Sequence, residues 1–397
     1  MVEQRSAGPL DGVRVIDLTT VVMGPFATRI LGDMGADVIR IESPTPDMMR
    51  EFDPKRSAGM SGFTLNLNRN KRSVVLDLKT DAGHRAIVDL VASADVFVSN
   101  LRPAALKKLG LADADLRAVR PDLVYCSAVG FATGGPRSGQ AAYDDVIQAV
   151  SGTASMFAWT GGEPALVPTI LADKISALHI AYAISASLHH RAVTGEGDTI
   201  EVPMAEVMAA FNLVEHLNGH TFEPKQGEFS YARVRTPLRR PRRSADGWIV
   251  ILPYTDANYR AFFGAVDRAD LIDDERYSSV NARIRNVEAL YGLVEAFAGM
   301  KTTKEWLEIC EAASIPCAPV VSLEHIEDDP HFAAVGLIEI DEHPTEGPYR
   351  VVHDPVSFAS RRGSEVRRHA PRHGADTADV MSAVGWSAAD IAELTQS

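Results

Sequence analysis

Short apolar runs alternate with helical periodicities along the first two hundred residues of the chain. Val13–Leu18 and Ala36–Glu42 read as strands on either side of a helix over Phe26–Asp33, and Ser73–Leu78 reads as a further strand before a helix over Asp81–Ala92. Ala94–Asn100 and Leu123–Val129 are near-continuous apolar runs of strand length. A parallel strand covered by helices on both faces requires that pattern. Asp144–Val150 and Lys174–Ala192 then read as helices, Thr199–Pro203 as a strand and Ala205–Leu217 as a helix. The alternation predicts a doubly wound α/β domain.

Periodicity fades over residues 218–245, which are rich in Arg, Pro and Gly and suit a linker or an active-site loop. A second compact region follows, with Gly247–Pro253 as a strand, Ala257–Val266 and Thr303–Ala312 as helices and Ile315–Val321 as an extended segment. The runs Leu337–His343 and Tyr349–Pro355 and a closing helical pattern suit a return to the first domain. The expected division is a large domain over 1–217, a linker or active-site loop over 218–245, a smaller domain over 246–330, and a linker and return over 331–397. A chain of 397 residues with 46% apolar content is long enough for these two cores.

The formal charge of −13 argues against nucleic acid or an anionic membrane as partner, so an anionic ligand needs a local basic pocket. Three cysteines, Cys126, Cys310 and Cys317, show no zinc or disulfide spacing, and an odd count fits a reducing, cytoplasmic setting. The first residues lack an apolar core of signal-peptide length. The longest apolar run, Ile175–Leu188, is too short to span a bilayer and carries His179.

The first strand, loop and helix could receive phosphates, but Gly24-Pro25 is a single glycine where a dinucleotide site normally needs G-x-G-x-x-G. Lys71, Arg72, Lys79, Arg102, Lys107 and Lys108 lie near apolar strand ends and read either as a phosphate-facing cluster or as solvated surface charge. Gly130, Gly134, Gly135 and Gly139 frame a loop ending at Tyr143-Asp144-Asp145, where Asp144 or Asp145 is a natural helix cap. Ser176, His179, His189, His190 and Cys126 form no catalytic spacing and read as structural. Arg233, Arg235, Arg239, Arg240, Arg242 and Arg243 read as a docking loop for a carboxylate or phosphate, or as a solvated linker.

Asp173, at the start of the apolar helix, has two readings. As an N-cap it would contribute about 1 kcal/mol and need no further role. As a nucleophile it would use the same place differently. An aspartate with a reference pKa near 3.9 is ionised at neutral pH, so it attacks a carbonyl without the general base that serine needs. Physics alone leaves both open.

The ordered segments PLDGVRVIDLT, LGDMGADVIRIE, NKRSVVLDLK, AYDDVIQAVSG and LADKISA with TGEGDTIEVPM, then DGW, IPCAPV and DDPHF, resemble the class III CoA-transferases, the family of formyl-CoA transferase and carnitine CoA-transferase. The resemblance implies a Rossmann-like large domain built from both chain ends, a smaller α+β middle domain and an interlocked homodimer. It implies Asp173 as the catalytic residue, with an acyl-CoA donor and a carboxylic acid acceptor and neither metal nor redox cofactor. Coenzyme A contacts are implied at Val22, Met23, Leu76, Asp77, Leu78, Lys79, Asn100, Leu101, Arg102, Lys108, Tyr143 and Asp144. Ser43 and Ala141 depart from basic residues of some relatives, and residues 218–260 lack the GGGG loop of formyl-CoA transferase. The 2-methylacyl-CoA racemases of the same family carry a histidine where this chain has Tyr143, and a phenol is poorly matched to proton abstraction at neutral pH. Racemization and non-catalytic CoA binding are the alternatives. The arginines of 218–245 point to a dicarboxylate acceptor.

Overall fold

The near-continuous apolar runs become the strands of one sheet. The computed structural model describes residues 8–358 and 366–396. Strands β1 (Arg14–Leu18), β2 (Asp37–Glu42), β3 (Lys71–Val75), β4 (Val96–Ser99), β5 (Val124–Val129) and β6 (Asp198–Pro203) are ordered β3-β2-β1-β4-β5-β6, every pairing parallel. Val15, Val38, Val98 and Cys126 face a layer that includes the helices Met23–Asp33 and Leu171–Thr194. Ile16, Ile39, Phe97 and Tyr125 face helices that include Asp81–Ala92, Asp113–Val119, Thr377–Ala383 and Ala388–Gln396. Burial on both faces explains why these strands lack polar alternation.

The chain divides into two compact units. One comprises Met1–Ser151, Val167–Ala209 and Pro330–Ser397 and holds the parallel sheet; the other comprises Gly152–Leu166 and Ala210–Asp329. In the second unit, a three-stranded antiparallel sheet of Arg242–Arg243, Trp248–Ile251 and Cys317–Pro319 packs Ile249 and Ile251 into a core with Phe262, Phe297 and Trp306. The arginine-rich stretch belongs to this unit. Arg243 lies 4.3 Å over the Trp248 ring, Arg235 lies 5.5 Å over Trp159, and Arg240 pairs with Glu295 at 2.7 Å. Flat guanidinium faces pack where apolar periodicity is missing.

In the first unit, the C-terminal segment covers the outer edge of β3. Asn70 N donates to Arg368 O at 2.8 Å, Ser73 N to Asp376 Oδ2 at 2.8 Å and Val75 N to Thr377 Oγ1 at 3.1 Å. The edge is therefore closed against pairing with another strand.

Lys71 and Arg72 are corrections to the phosphate-facing reading. Both open β3, at the amino end of the sheet, whereas ligands approach the carboxyl ends. Lys71 is buried and donates to Asp17 Oδ2 at 3.1 Å and Pro25 O at 2.9 Å, while Arg72 donates to Asp37 at 3.0 Å. Asp17 also accepts from Thr19 and from Thr28 Oγ1 at 2.6 Å, so the buried charge is fully engaged. Lys71→Met leaves that carboxylate without its cation and should destabilise the fold by about 3–5 kcal/mol. Urea unfolding reads this directly, and a wild-type midpoint would contradict the structural assignment.

Candidate active site

The strand order reverses between β1 and β4, and a crevice opens there at the carboxyl ends of the strands. A cavity of about 200 Å³ occupies it, lined by the loop after β1 (Thr20–Met23), the turn after β4 (Asn100–Pro103), the segment after β5 (Gly130–Tyr143), Met204 after β6, and Asp173.

The β1 loop keeps its shape without a glycine-rich fingerprint. Val21 holds a left-handed φ of 66°, and its N–H donates to Asp47 Oδ2 at 3.0 Å. Thr20 exchanges two hydrogen bonds with the Asn100 side chain, both 2.9 Å, which fasten the β1 loop to the end of β4. Gly24 serves close packing: a Cβ there would lie 2.3 Å from the Cβ of buried Thr19. That contact, rather than phosphate approach, accounts for Gly24-Pro25.

Asp173 is not the cap of its helix. The helix Leu171–Thr194 starts after Ile170, which makes no side-chain cap, and Asp173 lies in the first turn. The cap comes from a different helix, Asp144–Val150. Asp144 Oδ1 accepts from Ala172 N at 2.6 Å and Asp173 N at 3.1 Å, and Asp144 Oδ2 accepts from Gln148 Nε2 at 2.6 Å. Gln148 also accepts from Val167 N at 2.9 Å, which fixes the chain entering the helix. Two orphan amides are thus satisfied by a charge 5% exposed, leaving the Asp173 side chain free of that duty. Among the described residues, its carboxylate accepts no hydrogen bond. Burial pushes the Asp173 carboxyl up to about 7, and the neighbouring Asp144 charge adds to the rise.

Val22, Met23, Asn100, Leu101, Arg102, Tyr143 and Asp173, all expected at the site, line this cavity. Leu76, Asp77, Leu78, Lys79 and Lys108 do not. Leu76 is buried in the core under the sheet, Leu78 packs against that core, and Lys79 and Lys108 are exposed. Asp144 stands behind the site as the helix cap. Tyr143 is 65% exposed. Sequence reasoning did not single out Gln140 or Met204; the signal available for Met204 was its position just after the β6 run. Ala141, a departure from some relatives, also lines the cavity, whereas Ser43 is exposed and its carbonyl accepts from His373 Nε2 at 2.9 Å.

The fold is a doubly wound α/β sheet with a crevice at its switch point, and the Asp173 carboxylate lines that crevice. Residues 10–377 match CoA-transferase family III. The chain belongs to this family and is an enzyme of its class. It is 30% identical over 381 residues to succinyl-CoA:glutarate CoA-transferase of Homo sapiens, covering 95% of this chain and 86% of the relative. It is likewise 30% identical to succinate–glutarate CoA-transferase of Agrobacterium fabrum, over 94% of this chain and 95% of the relative. Among solved structures, a mutant of Rv3272 from Mycobacterium tuberculosis superposes with a TM-score of 0.82 at 28% identity, covering 95% of this chain and 99% of that one.

The raised pKa carries a stability signature. The fold favours the protonated form of Asp173, so the stability gained is complete below the ordinary value of 3.8 and is lost as pH rises through about 7. Asp173→Asn, neutral throughout, should gain on wild type as pH rises from about 4 to about 7. The gain should reach on the order of 2 kcal/mol at the upper end, after discounting for partial exposure. Asp144→Asn should narrow the difference. Urea midpoints that stay parallel across this range would contradict the assignment.

Proposed function

We propose that the enzyme moves CoA from an acyl-CoA thioester to a free carboxylic acid through intermediates held covalently on Asp173. The observation carrying this reading is the Asp173 carboxylate itself, which lines the crevice and, among the described residues, has no donor bound to it while Asp144 caps its helix. With a pKa of about 7, a substantial fraction is ionised at neutral pH and needs no general base.

Asp173 attacks the thioester carbonyl, and the tetrahedral oxyanion collapses to an acyl-aspartyl anhydride with departure of the CoA thiolate. The thiolate attacks the aspartyl carbonyl, releasing the donor acid and leaving an aspartyl-CoA thioester. The acceptor carboxylate attacks that thioester, giving a second anhydride and freeing the thiolate. Attack of the thiolate on the acceptor acyl carbon yields the new acyl-CoA and restores the Asp173 carboxylate. Each step exchanges one activated acyl bond for another, so no proton or electron is consumed. Backbone N–H groups of the glycine-containing loop after β5 are proposed to meet the oxyanions, each worth a few kcal/mol when aligned.

A cavity of about 200 Å³ suits the acyl and thioester end of the substrate. The remainder of CoA is proposed to run over the carboxyl edge of the sheet, where Arg102, Lys108 and Lys79 are exposed and suited to its phosphates. We further propose a dicarboxylic acid acceptor, supported by relatives named for succinyl-CoA, glutarate and mesaconate. A cytoplasmic homodimer completes the reading, with interlocked chains and a Rossmann-like large domain drawn from both chain ends. The long helix exposes Leu178 and Tyr182 one turn apart, an apolar face suited to a partner chain.

Asp173→Ala should lower exchange of label between acyl-CoA and free acid by at least about 10³-fold. Wild type should be inactivated by hydroxylamine only when a donor thioester is present. Its kcat/KM should rise with pH along a limb near 7. Normal exchange by Asp173→Ala would refute the mechanism, and solvent deuterium entering the α-carbon of a 2-methylacyl-CoA would mark racemization instead.

A further inference from the structure

The second unit carries its own small cavity, of about 60 Å³, whose walls combine two arginines and several tyrosines with apolar side chains. The arginines are in different states. Arg283 is fully engaged: it donates to Tyr277 O at 2.7 Å and to Asp256, and it lies 4.5 Å from the centre of the Tyr259 ring. Arg233 donates its Nε–H to Tyr291 Oη at 2.7 Å, and its guanidinium lies 5.6 Å from the Tyr254 ring. Among the described residues, no carboxylate forms an ion pair with Arg233.

A guanidinium oriented by Tyr291 and Tyr231 and flanked by the Tyr254 ring has N–H donors beyond those two bonds, and its planar fork matches a carboxylate. In a chain of net charge −13, an arginine lining a cavity without an acidic partner is a specific attractor for an anion. The volume decides what kind. Whole organic ligands fill roughly 300–1,000 Å³, so this cavity takes one end of a small molecule. Leu252, Val280 and Ile284 offer carbon surface beside the arginine. We propose that this cavity is a carboxylate-binding site in which Arg233 holds the terminal carboxylate of a short aliphatic acid while the apolar wall receives the adjoining methylenes. The site stands on its own geometry and does not depend on the chemistry assigned to Asp173.

Calorimetric titration of the full-length protein without any acyl-CoA tests it. Wild type should bind glutarate saturably and bind glutaramide, its uncharged counterpart, at least about tenfold more weakly. Arg233→Gln should lower glutarate affinity by a similar factor while keeping the wild-type melting temperature. If that variant does not fold, Val280→Trp, which fills the cavity mouth from an exposed position, should weaken binding instead. Absence of saturable glutarate binding by wild type, or wild-type affinity in a folded variant, would overturn the site. Because no thioester is present, failure of exchange chemistry at Asp173 leaves this result intact, and loss of binding here leaves that chemistry intact.

Discussion

The carboxylate of Asp144, received by the first amides of the Leu171–Thr194 helix, is the contact on which the site depends. A helix begun without a cap would leave buried N–H groups unpaired, and an acid in its first turn, as Asp173 is, can be drawn to them. Supplying the cap from a neighbouring helix removes that demand. The same charge opposes ionisation of Asp173, so one residue both secures the helix and makes its acid reluctant to lose a proton. Gln148 extends the arrangement by holding Asp144 and the incoming chain at Val167 together. A helix start, a tether and a tuned carboxyl therefore form one hydrogen-bonded unit.

Much of the fold was legible because two-sided burial writes itself plainly into sequence. The strands at Ala94–Asn100 and Leu123–Val129 and the helices Asp81–Ala92, Asp144–Val150 and Thr303–Ala312 fall where apolar spacing puts them. The helices Pro103–Lys108 and Asp113–Val119 were not read, since each buries only one side chain, Leu106 and Leu116, and one buried position makes no period. Lys71 misled because a lysine reads as surface, and its partner Asp17 lies 54 residues earlier. The place of Asp173 at the start of its helix was legible, but not its freedom from capping. Capping signals are local in sequence, and this cap comes from 28 residues away.

The crevice also shows how a switch-point site forms without the glycines usual for nucleotides. Rigidity comes from side chains outside the β1 loop, Asp47 and Asn100, which take up its backbone groups. Polar fastening of this kind leaves the loop free to carry the apolar side chains of Val22 and Met23 into the lining. Arg102 lines the cavity itself, whereas Lys79 and Lys108 are exposed and outside its lining.

Closure of β3 by the C-terminal segment bears on how the chain is made. Ser73 waits for Asp376, 303 residues later, before its amide finds its partner. At ordinary translation speeds that interval is roughly 15–60 s, during which the growing protein on the ribosome carries an open strand edge. The nascent chain is therefore exposed to edge-to-edge pairing until the segment around Asp376 has been made, and a product that terminates before it keeps that liability permanently.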